Sequence, residues 1–262
     1  MKISLAQINP TVGDLNYNYK LIIKHAQIAK KSGAEILITP ELSICGYPPE
    51  DLLLNKDFIK ECNTSLVKIA KKFPTLKIIV GHPRSIKGML FNSASILYKG
   101  KIEATYDKQI LPNYGVFDEK RYFKAGNKNL IFSHKGKKFG LLICEDLWVK
   151  GPAEKLPNVD YTICINASPY EINKPWSRIS ELNKRFMHKK LSFNRSTLIY
   201  LNLVGGQDDL LFDGGSFIYK TKFGKTLGVL DQLEQFESIN KIIDTKPPKH
   251  SDIAMFNSSF HA

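Results

Sequence analysis

Short apolar runs and longer amphipathic stretches alternate along most of this chain. The apolar runs predict strands at Ile3 to Ile8, Ile36 to Thr39, Leu76 to Gly81, Ser93 to Tyr98, Ile102 to Tyr106, Phe139 to Cys144, Tyr161 to Asn166, Thr197 to Leu203 and Gly215 to Tyr219. Apolar residues at helical spacing predict helices over Tyr17 to Lys31, Asn55 to Lys72 and Ile179 to Phe193. Strands alternating with helices imply a layered α/β domain in which helices cover sheet faces. The neighbouring runs Phe91 to Tyr98 and Ile102 to Tyr106 read as a hairpin, so the sheet is expected to be mixed. After Phe236 the pattern fades, and DTKPPKHSD (Asp244 to Asp252) has the proline and polar content of a linker. The expected organisation is one domain over residues 1–240 and a linker-like or disordered tail over residues 241–262. No internal repeat of solenoid length is visible.

Composition fits this picture and removes some classes of function. A chain of 262 residues can bury a sizeable core as one α/β domain. The net charge of +13 raises the question of nucleic acid, but only five of the 38 basic residues are Arg, and they form no dense run and no aromatic-interleaved patch. A lysine-rich solvated surface is the expectation, with no nucleic-acid partner. No apolar run is long enough to cross a bilayer, and MKISLAQINP is already strand-like, so neither an anchor nor a signal peptide is expected and the setting is read as cytoplasmic. Cys45, Cys62, Cys144 and Cys164 form no CxxC pair and no metal-ligand spacing with histidines, which predicts reduced thiols and no metal site.

Three of the predicted strands run out into groups that can react together. Glu41 closes EILITPE, Lys108 closes KIEATYDK, and Cys144 ends the apolar run in LLICEDLW. In sheets covered by helices, reacting groups collect beyond the carboxyl ends of the strands. A thiol that attacks a carbonyl, a carboxylate that takes the thiol proton and later protonates the leaving nitrogen, and a cation that stabilises the oxyanion make an amide-cleaving set. Lys108 is also expected to lower the thiol pKa. On spacing alone, Cys144 reads first as a buried structural thiol and the two charges as an ion pair. Cys164 is expected in the core mid-strand, Cys62 on a helix and Cys45 in the loop beside Glu41. GGQDDLLFDGGS lacks both the GxxxxGK[ST] and the GxGxxG layout, so it is read as tight turns and not as a phosphate cradle.

Longer segments sharpen the reading. PELSICGYPPEDLL (Pro40 to Leu53), LPNYGVFDEKRYF (Leu111 to Phe123), ICEDLW (Ile143 to Trp148), NASPY (Asn166 to Tyr170) and NLVGGQDDLLFDGGS (Asn202 to Ser216) follow one another in order, and in them the chain resembles the nitrilase (carbon–nitrogen hydrolase) superfamily. Within it, they resemble the glutaminase domain of glutamine-dependent NAD synthetases. The resemblance implies a four-layer α-β-β-α sandwich with mixed sheets. It implies Cys144 as nucleophile, Glu41 as general base and acid, Lys108 as oxyanion-stabilising lysine, the backbone N–H of Glu145 as a second oxyanion donor, and Glu119 as the glutamate that orients the lysine and the substrate.

Tyr47, Tyr114, Ser168 and Lys174 match substrate-binding positions of that family, with Arg178 competing with Lys174 for the substrate carboxylate. Tyr47 reads alternatively as a packing aromatic and Ser168 as a turn residue before Pro169. The resemblance also implies glutamine as substrate, no cofactor for its hydrolysis, homo-oligomeric assembly, and a synthetase domain that uses ATP and Mg²⁺. The SGGxDS loop of that domain does not occur in this chain, so the synthetase part is expected in trans or missing in cis. Two other readings accompany it: a stand-alone hydrolase of another small amide or nitrile, and a non-catalytic regulatory subunit.

Overall fold

The structure, a computed structural model, describes residues 1–171, 174–187, 196–220, 225–229 and 239–244. Two six-stranded mixed sheets face each other. The first holds β1 (Lys2–Gln7), β2 (Ile36–Ile38), β3 (Lys77–Ile86), β4 (Met89–Tyr98), β5 (Lys101–Asp107) and the late strand β14 (Ile239–Asp244), in the order β14-β1-β2-β3-β4-β5. Its β1, β2 and β3 run parallel, while β3, β4 and β5 form antiparallel hairpins. The second sheet has the order β13-β12-β9-β8-β7-β6, from β6 (Leu130–His134), β7 (Lys137–Ile143), β8 (Tyr161–Asn166), β9 (Thr197–Asn202), β12 (Phe217–Lys220) and β13 (Lys225–Val229). There β7, β8 and β9 are the parallel centre. A small hairpin, β10 (Val204–Gln207) with β11 (Leu210–Asp213), stands apart.

Strand alternation assigns the layers. Ile3, Leu5, Ile36, Ile38, Ile79, Ala94 and Ile96 point from the first sheet into a core shared with Phe139, Leu141, Ile143 and Ile163 of the second. The intervening residues Ala6, Leu37, Ile78 and Val80 face the other way and pack under α1 (Leu15–Lys31) and α2 (Lys56–Lys72). Helix α2 buries Ile59, Cys62, Leu66, Ile69 and Ala70, one stripe at the helical period. Asp14 caps α1 through the N–H of Tyr17, and Asn55 caps α2 through the N–H groups of Asp57 and Phe58. The single-turn helices α3 (Glu119–Tyr122) and α4 (Glu145–Trp148) follow β5 and β7, and helix α5 (Lys174–Met187) packs Leu182 into the core on the second sheet's side, completing the four expected layers.

Several boundaries differ from expectation. Strands β3 and β4 extend to Ile86 and from Met89, through polar residues that pair as an antiparallel ribbon. Helix α5 begins five residues before Ile179, and its expected end, Phe193, lies outside the described residues. The glycine-rich GGQDDLLFDGGS is a true hairpin, with Asp208 at φ +49° in its turn. Strand β14 crosses the boundary drawn at residue 240: it pairs antiparallel with the whole of β1, from Lys2 opposite Asp244 to Gln7 opposite Ile239. The sheet therefore claims four residues of the expected tail, while residues 245–262 lie outside those described. Among the described residues no helix is long and apolar enough to cross a membrane.

Candidate active site

Glu41, Lys108 and Cys144 sit just past the ends of β2, β5 and β7, as the pattern of apolar runs implied. The first two leave one sheet and the third leaves the other, so the site is a seam between the sheets at one rim. Glu41 reaches it because its backbone lies flat against Gly81. A Cβ there would come within 2.3 Å of the Pro40 carbonyl oxygen and 2.5 Å of the Leu42 nitrogen. Cys144 turns out of β7 at φ +46° and ψ −103°, a conformation a non-glycine residue adopts only when its surroundings impose it. Its N–H donates to Ile165 O at 2.9 Å and its carbonyl accepts from Leu147 N at 3.0 Å, which holds that turn in place.

The charged groups form one buried set. Lys108 Nζ donates to Glu41 Oε1 and to Glu119 Oε1, both at 2.7 Å, with all three side chains at most 4% exposed. Glu41 Oε1 also accepts from Asn92 Nδ2 at 2.7 Å, and its Oε2 accepts from the N–H of Ala167 at 2.8 Å, across the seam. Tyr47 donates its hydroxyl to Glu119 Oε1 at 3.0 Å, and its ring meets Phe212 of β11 edge-on. A cavity of about 160 Å³ backs onto Tyr47 and Glu119. Among the described residues Glu119 Oε2 has no partner.

Electrostatics follow from this burial. Burial opposes the Lys108 charge, but Glu119 and Glu41 outweigh it and hold the ammonium pKa well above the usual lysine value. Burial pushes Glu119 up to about 7, helped by the neighbouring Glu41 and opposed by Lys108. Cys144 departs from expectation: burial first, then Glu41, push its thiol well above the ordinary cysteine range, and the opposing pull of Lys108 is too small to reverse this. The resting group is therefore a thiol, and reaction requires a base that takes its proton.

The remaining candidates fall into two groups. Tyr114 is 58% exposed, and partial burial first, then the neighbouring Glu145 carboxylate, raise its hydroxyl to about 12. Ser168 is locked by Asn202, which accepts from its N–H at 2.8 Å and donates to its carbonyl at 3.0 Å. Arg178 is buried and grips Asp213 with both terminal nitrogens, at 2.7 and 3.0 Å, while touching Ser168 Oγ at 3.4 Å. Its charge is thus already matched within the fold, which weakens it as a competitor for a substrate carboxylate. The Lys174 side chain lies outside the described residues. The four cysteines are free and buried, with Cys164 in the core and Cys62 on α2 as expected. Among the described residues no three His, Cys, Asp or Glu side chains cluster as a metal site would.

Reading the sequence missed Asn92 and Asp146. Each is a polar residue inside or next to an apolar run, FNSAS and CEDLW, and that anomaly was the available signal. Asn202 lay in the predicted strand Thr197 to Leu203 and Asp213 in the glycine-rich turn segment, and neither was expected as part of the hydrogen-bonded clamp around Ser168.

Comparison with known proteins agrees with this architecture. The sequence is 42% identical over 220 residues to a glutamine-dependent NAD(+) synthetase of Acinetobacter baylyi, covering 83% of this chain and 40% of that one. It is 40% identical over 247 residues to the synthetase of that name from Synechocystis, covering 86% and 43%. The solved glutamine-dependent NAD+ synthetase of Acinetobacter baumannii superposes with a TM-score of 0.85 at 36% identity, over 93% of this chain and 45% of that one. A nitrilase-superfamily amidase from Nesterenkonia shares the fold, with a TM-score of 0.78 at 24% identity over 94% and 92% of the two chains. The chain spans less than half the length of the synthetases it matches. Residues 2–235 match the family described as carbon-nitrogen hydrolase, and the chain belongs to that family.

Proposed function

We propose that this chain is a glutaminase, in which Cys144 cleaves the side-chain amide of glutamine through a thioester and releases ammonia. In this reading a synthetase part, in the same protein or a partner, uses the ammonia to amidate nicotinate adenine dinucleotide to NAD. ATP and Mg²⁺ serve that part only. The observation that carries the reading is the buried Lys108 ammonium held between two carboxylates at the rim where Cys144 follows β7. The similarity to synthetases named for glutamine supports the choice of amide. Homo-oligomeric assembly belongs to the same reading.

The atoms have distinct parts. Glu41 Oε1 already accepts two hydrogen bonds and Oε2 only one, so Oε2 has the free lone pair for the thiol proton. As that proton leaves, the sulfur bonds to the amide carbon, and the oxyanion is met by the Lys108 ammonium and the Glu145 N–H. Glu41 then returns the proton to the amide nitrogen. The C–N bond breaks, ammonia departs and a glutamyl thioester remains. Water attacks the thioester, giving one proton to Glu41, which passes it to the departing thiolate, and glutamate is released. Tyr47 acts through Glu119. Tyr114, Ser168 and Lys174 are assigned to the α-amino and α-carboxyl ends of glutamine.

Glu119 supplies a pH dependence. With its pKa near 7, it loses its negative charge as pH falls through that value. Lys108 Nζ is then held by one charged partner, Glu41, and no longer from both sides at the place where the oxyanion forms. kcat/KM is expected to drop with falling pH along a limb near 7. Glu119→Gln should lie on the low plateau throughout and lack the limb; a variant that keeps it removes Glu119 from this role.

The test of the reading is turnover of glutamine beside simple aliphatic amides, followed as glutamate or acid release with intact mass. Glutamine preferred by about tenfold or more in kcat/KM supports the glutaminase. A second reading, hydrolysis of another small amide or nitrile, draws on the match of residues 2–235 to the carbon-nitrogen hydrolase family. Preference for the simple amides would select it.

A further inference from the structure

Asp146 has no place in the steps above, yet its buried carboxylate is met by donors on every side. Oδ1 accepts the backbone N–H groups of Gln109 and Ile110, at 3.1 and 2.8 Å. Oδ2 accepts the N–H of Ile143 at 3.2 Å and the Tyr106 hydroxyl at 2.8 Å. Tyr106, Gln109 and Ile110 flank Lys108 in sequence, and Ile143 immediately precedes Cys144. These two segments leave different sheets.

We propose that Asp146 is a positioning residue that fixes the Lys108 ammonium relative to the Cys144 thiol. The lysine headgroup ends a flexible four-carbon stem, so its place depends on where its backbone is anchored. The strained turn at Cys144 depends in the same way on what grips its neighbours. One carboxylate grips both, and reacting groups displaced by about 1 Å lose about 100-fold in rate. This assignment rests on the glutaminase reading for its substrate but not for its geometry.

Asp146→Asn keeps the shape and removes half of the grip. With the amide oxygen on the Gln109 and Ile110 side, the Asn NH₂ group faces the Tyr106 hydroxyl, which can turn and accept. It also faces the Ile143 N–H, which cannot accept. The break therefore falls beside Cys144. Two rates read it: kcat for glutamine, and alkylation of Cys144 by iodoacetamide, in which the sulfur displaces iodide as Glu41 takes the thiol proton. At a temperature where the variant is fully folded, both should fall by about 10- to 100-fold, with KM for glutamine within about threefold of wild type. Unchanged rates, or a loss confined to KM, would overturn the proposal. A wild type that is alkylated but does not turn over glutamine counts against the glutaminase alone, because the alkylation comparison still reads Asp146. If Asp146→Asn does not fold, Tyr106→Phe removes one donor and keeps the ring. A fall of about three- to tenfold in the same rates supports the assignment, and no change sinks it.

Discussion

Cys144→Ala should reduce glutamine turnover by about 10⁴-fold or more, because in the proposed mechanism it deletes the atom that carries the glutamyl group. When residues act as one unit, losing the nucleophile costs nearly as much as losing the whole unit, and what remains is binding and oxyanion stabilisation. The substitution should leave the fold intact. Removing one buried sulfur leaves a small void worth about 1 kcal/mol, well within the margin of a domain this size. Glutamate release and thermal unfolding, measured together, separate loss of chemistry from loss of structure. Turnover above about a hundredth of wild type in a folded variant would remove Cys144 as nucleophile.

Glu41→Gln is the second large effect, expected at about 10²- to 10⁴-fold in kcat, the usual range for a positioned acid and base. The argument is specific to this environment. The Cys144 thiol is held well above the ordinary cysteine range, so it stays protonated at neutral pH, and in the proposed mechanism Glu41 takes its proton during attack. Gln cannot take that proton, and its NH₂ group must point at a donor whichever way the amide is turned: Ala167 N–H on one side, Lys108 and Asn92 on the other. The deficit should narrow as pH rises, since bulk hydroxide then supplies the thiolate. Iodoacetamide alkylation rates of the two proteins between neutral and alkaline pH check this. A ratio independent of pH would mean that Glu41 serves the site in another way.

The layers and the placing of Glu41, Lys108 and Cys144 at strand ends were legible because each follows from local pattern. Apolar runs mark β1, β2, β5, β7 and β8, and Glu41, Lys108 and Cys144 each close such a run. What escaped depends on partners distant in sequence. Strand β6 is short and bordered by Lys128, Asn129 and Lys135, and strand β14 earns its place only by pairing with β1, more than 230 residues away. Asn92 and Asp146 stand out only as polar residues beside apolar runs, and nothing local names their partners, which lie 51 and 36 to 40 residues off, apart from Ile143. The thiol's protonation was misjudged for a related reason: a cation in the motif was visible, whereas the burial of Cys144 and its closeness to Glu41 emerge only when both sheets close.

That the site is a seam has a consequence for how the protein comes into being. Its carboxylates and ammonium belong to the first half of the chain and its thiol to the second, and the strand that completes the first sheet is drawn from near residue 240. A growing polypeptide therefore holds no competent centre while only one sheet exists, and contacts of such long sequence separation form late in folding. In the proposed mechanism the thiol meets its base only once the two sheets have docked, so a molecule with one sheet formed lacks that chemistry.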